Sequence, residues 1–163
     1  MKTRKMKGFT LVELIVVIAI IGVLAAILVP TMLGYVKKSK VSAANSNAKS
    51  LYDAVATSLI EFDTESITMG DGPVKGNVQA TVVTYTAGNE QDYLDWKIFN
   101  YFNGVNKLNG FGYEVKAMAV VAAAADDGTY CGTYPKPATN DNALTMDCDT
   151  AANVAAACTY AAS

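Results

Sequence analysis

The chain has 163 residues, of which 52% are hydrophobic and 17% charged, and its formal net charge is −2. Histidine is absent, which excludes Ser-His-Asp and Cys-His catalysis and any histidine-bearing zinc site. The sequence also lacks nucleophile-elbow and phosphate-loop patterns, so it predicts a protein that is not an enzyme and has no cofactor.

The charges are unevenly distributed along the chain. Residues 1–8 contain four basic side chains and no acidic one, and the remainder is net acidic. An acidic body lacks the basic footprint that nucleic-acid binding requires, so we expect no direct contact with nucleic acid.

A long apolar run follows the basic start. Residues 9–36 carry a single charge, Glu13, and exceed the roughly 20 residues needed to cross a bilayer. The run continues past its small residues, which favours a retained membrane helix over a cleaved secretory signal. The basic start then predicts that residues 1–8 lie in the cytoplasm.

Glu13 is unusual because a carboxylate inside an apolar helix costs a few kcal/mol at mid-bilayer, although less near the interface. The carboxylate could lie shallow and extend toward the lipid headgroups. Alternatively, it could pair with a cation in the same layer. Cutting the chain before Phe9 would create such a cation, an N-terminal amine on this chain or on a neighbouring copy.

The segment Gly8-Phe9-Thr10-Leu11-Val12-Glu13, with the apolar stretch through Pro30, resembles the class III signal of bacterial type IV pilins and related pseudopilins. The resemblance covers about residues 4–45. It implies that a membrane-embedded prepilin peptidase cuts after Gly8 and N-methylates Phe9. It also implies that Glu13 pairs with the Phe9 amine of an adjacent subunit during assembly.

Two residues within the apolar run predict flexibility. Pro30 removes a helix hydrogen bond and matches the proline that bends the helix in this family. Gly22 lowers helix propensity by about 1 kcal/mol relative to Ala and lies where such helices loosen in filaments. Both residues would also permit close packing of helices in a membrane.

The helix is predicted to continue beyond the membrane to about Phe62. Apolar residues at spacings of three and four form one stripe there: Val41, Ala44, Ala48, Leu51, Val55, Leu59 and Phe62. We therefore expect an α+β fold, in which the second half of a long N-terminal α-helix packs on an antiparallel β-sheet head. The predicted regions are a leader (1–8), a hydrophobic transmembrane or filament-core helix (9–36) and a globular head (37–163).

The head is predicted to contain several strands and one short helix. After a glycine-rich loop at 70–76, strands are expected over 79–86, 113–123, 129–134 and 144–148, with a last segment over 154–160. A short amphipathic helix is expected over 92–103, and a hairpin turn is expected at 126–128.

The three cysteines all follow the apolar run, in the part that an N-terminal anchor leaves outside the cell. In the two last predicted segments, strand alternation places Cys148 and Cys158 on apolar faces that could meet across a short turn, which predicts a disulfide between them. Type IV pilins often link their C-terminal region in this way. Cys131 would remain free, and all three could instead be buried thiols.

Acidic residues near the C-terminus could bind calcium through oxygen ligands. The EF-hand spacing is not met by Asp141, Asp147 and Asp149, so we predict no metal site there.

The resemblance implies a structural subunit of an extracellular type IV pilus. Such a subunit is a single-pass protein of the bacterial plasma membrane, surrounded by lipid, before it joins identical subunits in a helical filament. Its other partners would be the prepilin peptidase and methyltransferase and the pilus assembly machinery. Filaments of this kind serve adhesion, twitching motility, DNA uptake or secretion. The alternatives are a pseudopilin of a type II secretion or DNA-uptake machine, and a membrane-anchored binding module or enzyme head.

Overall fold

The computed structural model describes residues 9–79 and 84–163. The chain divides into two units, Met1–Lys37 and Lys38–Ser163. The second unit is called the head below.

One helix, α1 (Leu11–Thr64), accounts for a third of the chain. From Phe9 to Val36 every side chain of the first unit is exposed. In the head, by contrast, α1 buries one face, because its apolar residues recur with the helical period. The predicted helix to about Phe62 is confirmed, and the buried residues are Val41, Ala44, Ala48, Leu51, Ala54, Val55, Ser58, Leu59 and Phe62.

The head contains a four-stranded antiparallel sheet. Its strands are β1 (Gly72–Lys75), β2 (Gly110–Lys116), β3 (Ala119–Asp126) and β4 (Cys131–Tyr134), which lie in the order of the chain. Helix α2 (Glu90–Tyr101) and a 3₁₀ turn (Val105–Lys107) lie between β1 and β2, and helix α3 (Ala151–Ala162) ends the chain. The predicted α+β fold is confirmed.

The buried face of α1 joins the sheet and α2 in one hydrophobic core. Leu51, Val55 and Phe62 of α1 belong to the same buried cluster as Phe111 of β2 and Leu94 of α2. The helix predicted over 92–103 is therefore present as α2, and it buries Leu94 as expected.

Two predictions in the middle of the head are wrong. The strand expected over 113–123 is split into β2 and β3 by a turn at Ala117 and Met118, whose φ angles are 49° and 62°. Neither residue is of a type that favours a left-handed conformation, so no turn signal is present at these positions. In addition, the glycine-rich loop contains β1, which tolerates Pro73 because it lies at the edge of the sheet formed by the described strands. Of the strand expected over 79–86, residues 80–83 lie outside the described residues, and Gln79 and residues 84–86 are not in a strand.

The C-terminal predictions are also wrong. Residues 144–148 form a turn and an irregular segment, and 154–160 belong to helix α3. Thr150 caps α3 by accepting a hydrogen bond from the Asn153 N–H, at 3.2 Å. Alanine has the highest helix propensity, and α3 contains seven alanines, which outweigh a short apolar alternation. The hairpin turn expected at 126–128 is confirmed, since it joins β3 to β4 and Gly128 has φ +88°.

Candidate assembly site

The first turn of α1 is closed by a reciprocal pair of hydrogen bonds. Thr10 precedes the helix, and its hydroxyl accepts a bond from the Glu13 N–H at 3.3 Å. The Glu13 carboxylate in turn accepts bonds from the Thr10 N–H, at 2.9 Å, and from the Thr10 hydroxyl, at 2.6 Å. This arrangement is a capping box, which satisfies N–H groups that have no partner within the helix.

Thr10 is the residue that the sequence interpretation missed. The pattern Thr-x-x-Glu before an apolar run is itself a signal for a capping box, and it is present at Thr10–Glu13. Within a single chain Glu13 therefore has a local structural role. A carboxylate has about four acceptor positions, so the bonds from Thr10 leave capacity for a further donor.

The apolar surface beyond this cap is uncovered. The large hydrophobic side chains of the first unit are between 46% exposed, for Val17, and 80% exposed, for Phe9 and Tyr35. Among the described residues, α1 is the one helix long and apolar enough to cross a membrane, by length and composition. Such a surface is stable only against lipid or other apolar helices.

The two predicted flexible positions lie within this surface. Pro30 lies inside α1, and the helix continues on both sides of it. The bend expected at Pro30 stays a prediction. A Cβ added at Gly22 would meet no described atom within 4 Å. The space beside Gly22 is therefore open to a neighbouring helix. Phe9 and Glu13 lie at the start of the described segment, whereas Gly8 lies outside the described residues.

Comparisons with known proteins address the same segment. The family described as "Prokaryotic N-terminal methylation motif" matches residues 3–29. The type IV major pilin protein PilA of Myxococcus xanthus is 41% identical over 85 residues, which are 50% of this chain and 39% of that protein. The type IV major fimbrial protein FimA of Dichelobacter nodosus is 46% identical over 55 residues, 34% of this chain and 35% of that protein.

The type IV major alpha-pilin of Moraxella bovis is 39% identical over 75 residues, 46% of this chain and 47% of that protein. The resemblance to type IV pilins is thus confirmed for the N-terminal part of the chain. The matched part spans less than half the length of each of these relatives. No solved structure matches the chain.

In the head, a buried lysine joins α2 to the end of α1 and the residue that follows it. The Lys97 ammonium lies 2.7 Å from Glu61 and 2.8 Å from Glu65, and its side chain is only 8% exposed. Burial alone would lower the pKa of Lys97, but its hydrogen bonds to the two carboxylates outweigh that effect and leave the pKa raised. Tyr101 donates a further hydrogen bond to Glu61. This charge network is fully paired, so it stabilises the packing of two helices and offers no open binding group.

A second buried charge lies between α2 and the sheet. Asp95 accepts hydrogen bonds from the Asn77 N–H, at 2.9 Å, and from the Tyr113 hydroxyl, at 3.0 Å. Burial raises the pKa of Asp95 to about 7, although both hydrogen bonds act in the opposite direction. Asp95 therefore links the loop after β1 to the core of the head.

The cysteines lie together in the head. Cys131, Cys148 and Cys158 are fully buried in one cluster and unbonded, and the Sγ atoms of Cys131 and Cys148 are 3.7 Å apart. The strand argument for a Cys148–Cys158 disulfide is wrong, because Cys148 lies in a loop and Cys158 lies on α3. A disulfide between Cys148 and Cys158 stays a prediction. The short distance between the Sγ atoms of Cys131 and Cys148 favours a disulfide between those two residues instead.

Two of the acidic C-terminal residues, Asp147 and Asp149, accept hydrogen bonds from the same asparagine side chain. The Asn153 side-chain amide donates hydrogen bonds to Asp147 and, at 2.7 Å, to Asp149. In the described part of the chain, no group of three or more acidic, cysteine or histidine side chains is arranged to hold a metal ion.

Proposed function

We propose that this chain is a structural subunit of an extracellular type IV pilus. It would be made as a membrane prepilin, cleaved after Gly8, N-methylated on Phe9 and polymerised through its N-terminal helix. The observation that carries the proposal is the methylation motif at residues 3–29, which opens directly into a helix with an uncovered apolar surface. The proposed regions are the leader (1–8), the apolar helix (9–36) and the head (37–163).

The uncovered surface explains why extraction from the membrane and polymerisation must be coupled. Burial of apolar area is worth about 25 cal/mol per Å², so exposing the first half of α1 to water would be strongly unfavourable. In the plasma membrane, lipid covers this surface. In the extracellular filament, the same helices of identical subunits would replace the lipid.

Glu13 would set the axial offset between neighbouring subunits. Apolar packing alone allows many offsets, because they bury similar areas. After cleavage, the Phe9 amine of an adjacent copy would supply the cation, and any other offset would leave charges unpaired in an apolar environment. The capping bonds from Thr10 are compatible with this pairing, since the carboxylate can accept further bonds.

The processing step is tested at the N-terminus of the mature chain. Mass spectrometry of membrane-bound and sheared material should find chains that begin at Phe9 with a methylated amine. A bulky substitution such as Gly8→Trp should leave the uncut chain in the membrane. Fibres whose subunits begin at Met1 would contradict the proposal.

The capping box allows the charge of Glu13 to be tested separately from its structural role. Either Glu or Gln can occupy the third helical position of a capping box, where Glu13 lies, so Glu13→Gln removes the charge and keeps the cap. Thr10→Val is the matched control, because it removes the capping hydroxyl and keeps the carboxylate. We expect Glu13→Gln to insert and to be cleaved normally but to yield little fibre, and Thr10→Val to form fibres.

Glu13→Leu removes both the charge and the cap, and it should insert at least as well as the parent chain because a buried charge is lost. It should assemble as poorly as Glu13→Gln. If both variants gave normal fibre yields, Glu13 would be a local cap alone, and the role in setting the offset would have to be abandoned.

The relatives reported above are named as major pilins and fimbrial proteins, which favours a pilus subunit over a pseudopilin of a secretion or DNA-uptake machine. The proposed partners are identical subunits, the prepilin peptidase and methyltransferase, and the membrane assembly machinery. Isolation of surface fibres that contain this chain as their bulk component tests the choice. Fibres that contain it only in trace amounts would favour a minor or pseudopilin role.

A further inference from the structure

The part of α1 that belongs to the head separates its charges by sign. From Lys38 to Lys49 its charged residues are all lysines, and from Asp53 to Asp63 they are all acidic. Lys38, Lys49, Asp53 and Asp63 are exposed. The ion pairs of the described residues involve other side chains: Lys97 with Glu61 and Glu65, and Lys116 with Glu114.

These four exposed charges share one face of the helix. A residue advances about 100° around an α-helix, so Lys38, Lys49, Asp53 and Asp63 fall within an arc of about 80°. The centre of that arc lies roughly 140° from the buried stripe of α1. The face is therefore directed away from the core of the head, with a basic part followed by an acidic part.

We propose that this face docks against the same face of a second copy of the chain, in parallel and with a stagger. Lys38 lies 15 residues before Asp53, and Lys49 lies 14 residues before Asp63. One offset of about 21–22 Å, at 1.5 Å per residue, therefore brings both lysines opposite both aspartates of the neighbour. The inference rests on the proposed polymerisation, and it identifies a contact between heads.

The stagger explains how the contact would propagate. It joins the basic part of one copy to the acidic part of the next, which leaves the acidic part of the first copy and the basic part of the second for further neighbours. Such a heterologous contact does not close on itself and builds open filaments. Charge complementarity of this kind mainly sets register and excludes wrong offsets, because exposed ion pairs contribute little affinity individually.

An antiparallel pair would also match opposite charges, with Lys38 beside Asp63 and Lys49 beside Asp53. That arrangement would close as a dimer. Chains inserted with their basic leaders on the same side of one membrane leave it with the same polarity, which favours the parallel arrangement. The two arrangements predict opposite results for the double variants described next.

The test uses the full chain in a host that assembles it, and it measures sheared fibre relative to the mature subunit in the membrane. Lys49→Glu and Asp63→Lys should each lower that ratio by roughly three- to tenfold, because each places like charges opposite each other. The double variant Lys49→Glu/Asp63→Lys should return the ratio to within about twofold of the parent. Positions 49 and 63 are about 21 Å apart along one helix, so restoration must come from contact between copies.

The matched control is Lys49→Glu/Asp53→Lys, which has the same composition and net charge as the first double variant. In the staggered parallel contact it leaves both pairs repulsive, so its ratio should stay at least as low as that of the single variants. Restoration by this control, without restoration by Lys49→Glu/Asp63→Lys, would overturn the proposal in favour of the antiparallel dimer. Lys107→Glu, an exposed reversal outside α1, should have no effect on the ratio.

If charge reversal lowers the amount of subunit in the membrane, a second measurement replaces the fibre ratio. Fibres of the variant Lys49→Cys/Asp63→Cys, treated with a short bis-maleimide, should give covalent ladders. Absence of ladders would contradict the contact. Normal fibre from the single reversals, combined with fibre loss in Glu13→Gln, would reject this inference and leave the proposed function intact. If the parent chain formed no fibre at all, the proposed function would fail first.

Discussion

Asn45 on α1 fixes the loop that follows β4, and its replacement gives a sharp test of the packing in the head. Its side-chain oxygen accepts hydrogen bonds from the Thr133 N–H at 3.0 Å and from the Ala138 N–H at 2.9 Å. Its amide group donates to the Ala138 carbonyl at 2.9 Å. A single side chain therefore satisfies three backbone groups that have a sequence separation of about 90 residues from it.

The expected magnitude follows from those three groups. Thr133 is fully buried and Ala138 is 5% exposed, so Asn45→Ala leaves their polar groups without water. Each unsatisfied buried group costs about 1–3 kcal/mol, and Ala gains roughly 0.5 kcal/mol over Asn in helix propensity. Three such groups lose about 3–9 kcal/mol together, so the net loss in the free energy of unfolding should be about 2.5–8.5 kcal/mol, a large part of the stability of an ordinary domain.

The assay is urea unfolding of the detergent-solubilised chain, together with hydrogen exchange of individual amides. Asn45→Ala should lower the unfolding free energy and remove the protection of the Thr133 and Ala138 amides. Asn45→Asp keeps the acceptor and loses the donor, so its free energy of unfolding should lie between those of Asn45→Ala and the parent chain. Ser46→Ala, at the exposed neighbouring position, should change stability by less than about 0.5 kcal/mol. If Asn45→Ala also changed the free energy of unfolding by less than about 0.5 kcal/mol and left both amides protected, the reasoning would be refuted.

Three further predictions concern the head. The pKa of Asp95 is raised from 3.8 to about 7, so the folded state holds an extra proton between these pH values. The stability of the head should therefore fall as pH rises from about 4 to 7 and then level off. Melting curves recorded at several pH values should show that Asp95→Asn flattens this dependence and raises the stability above pH 7. Gly132→Ala would place a methyl group against the α1 backbone, so the melting temperature should drop by about 5–10 °C, and an unchanged value would contradict the packing described here. Non-reducing peptide mapping of oxidised protein should link Cys131 to Cys148, whereas a Cys148–Cys158 bond would favour the pairing expected from the sequence.

The sequence alone determined the elements that depend on local pattern. The motif from Gly8 to Glu13 and the apolar run indicated the family, and the stripe from Val41 to Phe62 predicted the second half of α1. Helix α2 was predicted for the same reason. The stripe of α1 and helix α2 each repeat the helical period, so that several side chains favour the same structure independently of the rest of the chain.

Only the tertiary structure decided the features that depend on distant contacts. The turn between β2 and β3 holds Ala117 and Met118 at positive φ without a local turn residue, and the Asp71 carboxylate accepts a hydrogen bond from the Ala117 N–H at 2.8 Å. The clustering of the three cysteines required α3 to be a helix, which short apolar alternation had obscured. Short segments carry too little periodic signal to outweigh such contacts, so their structure is fixed by the neighbours that the rest of the fold supplies.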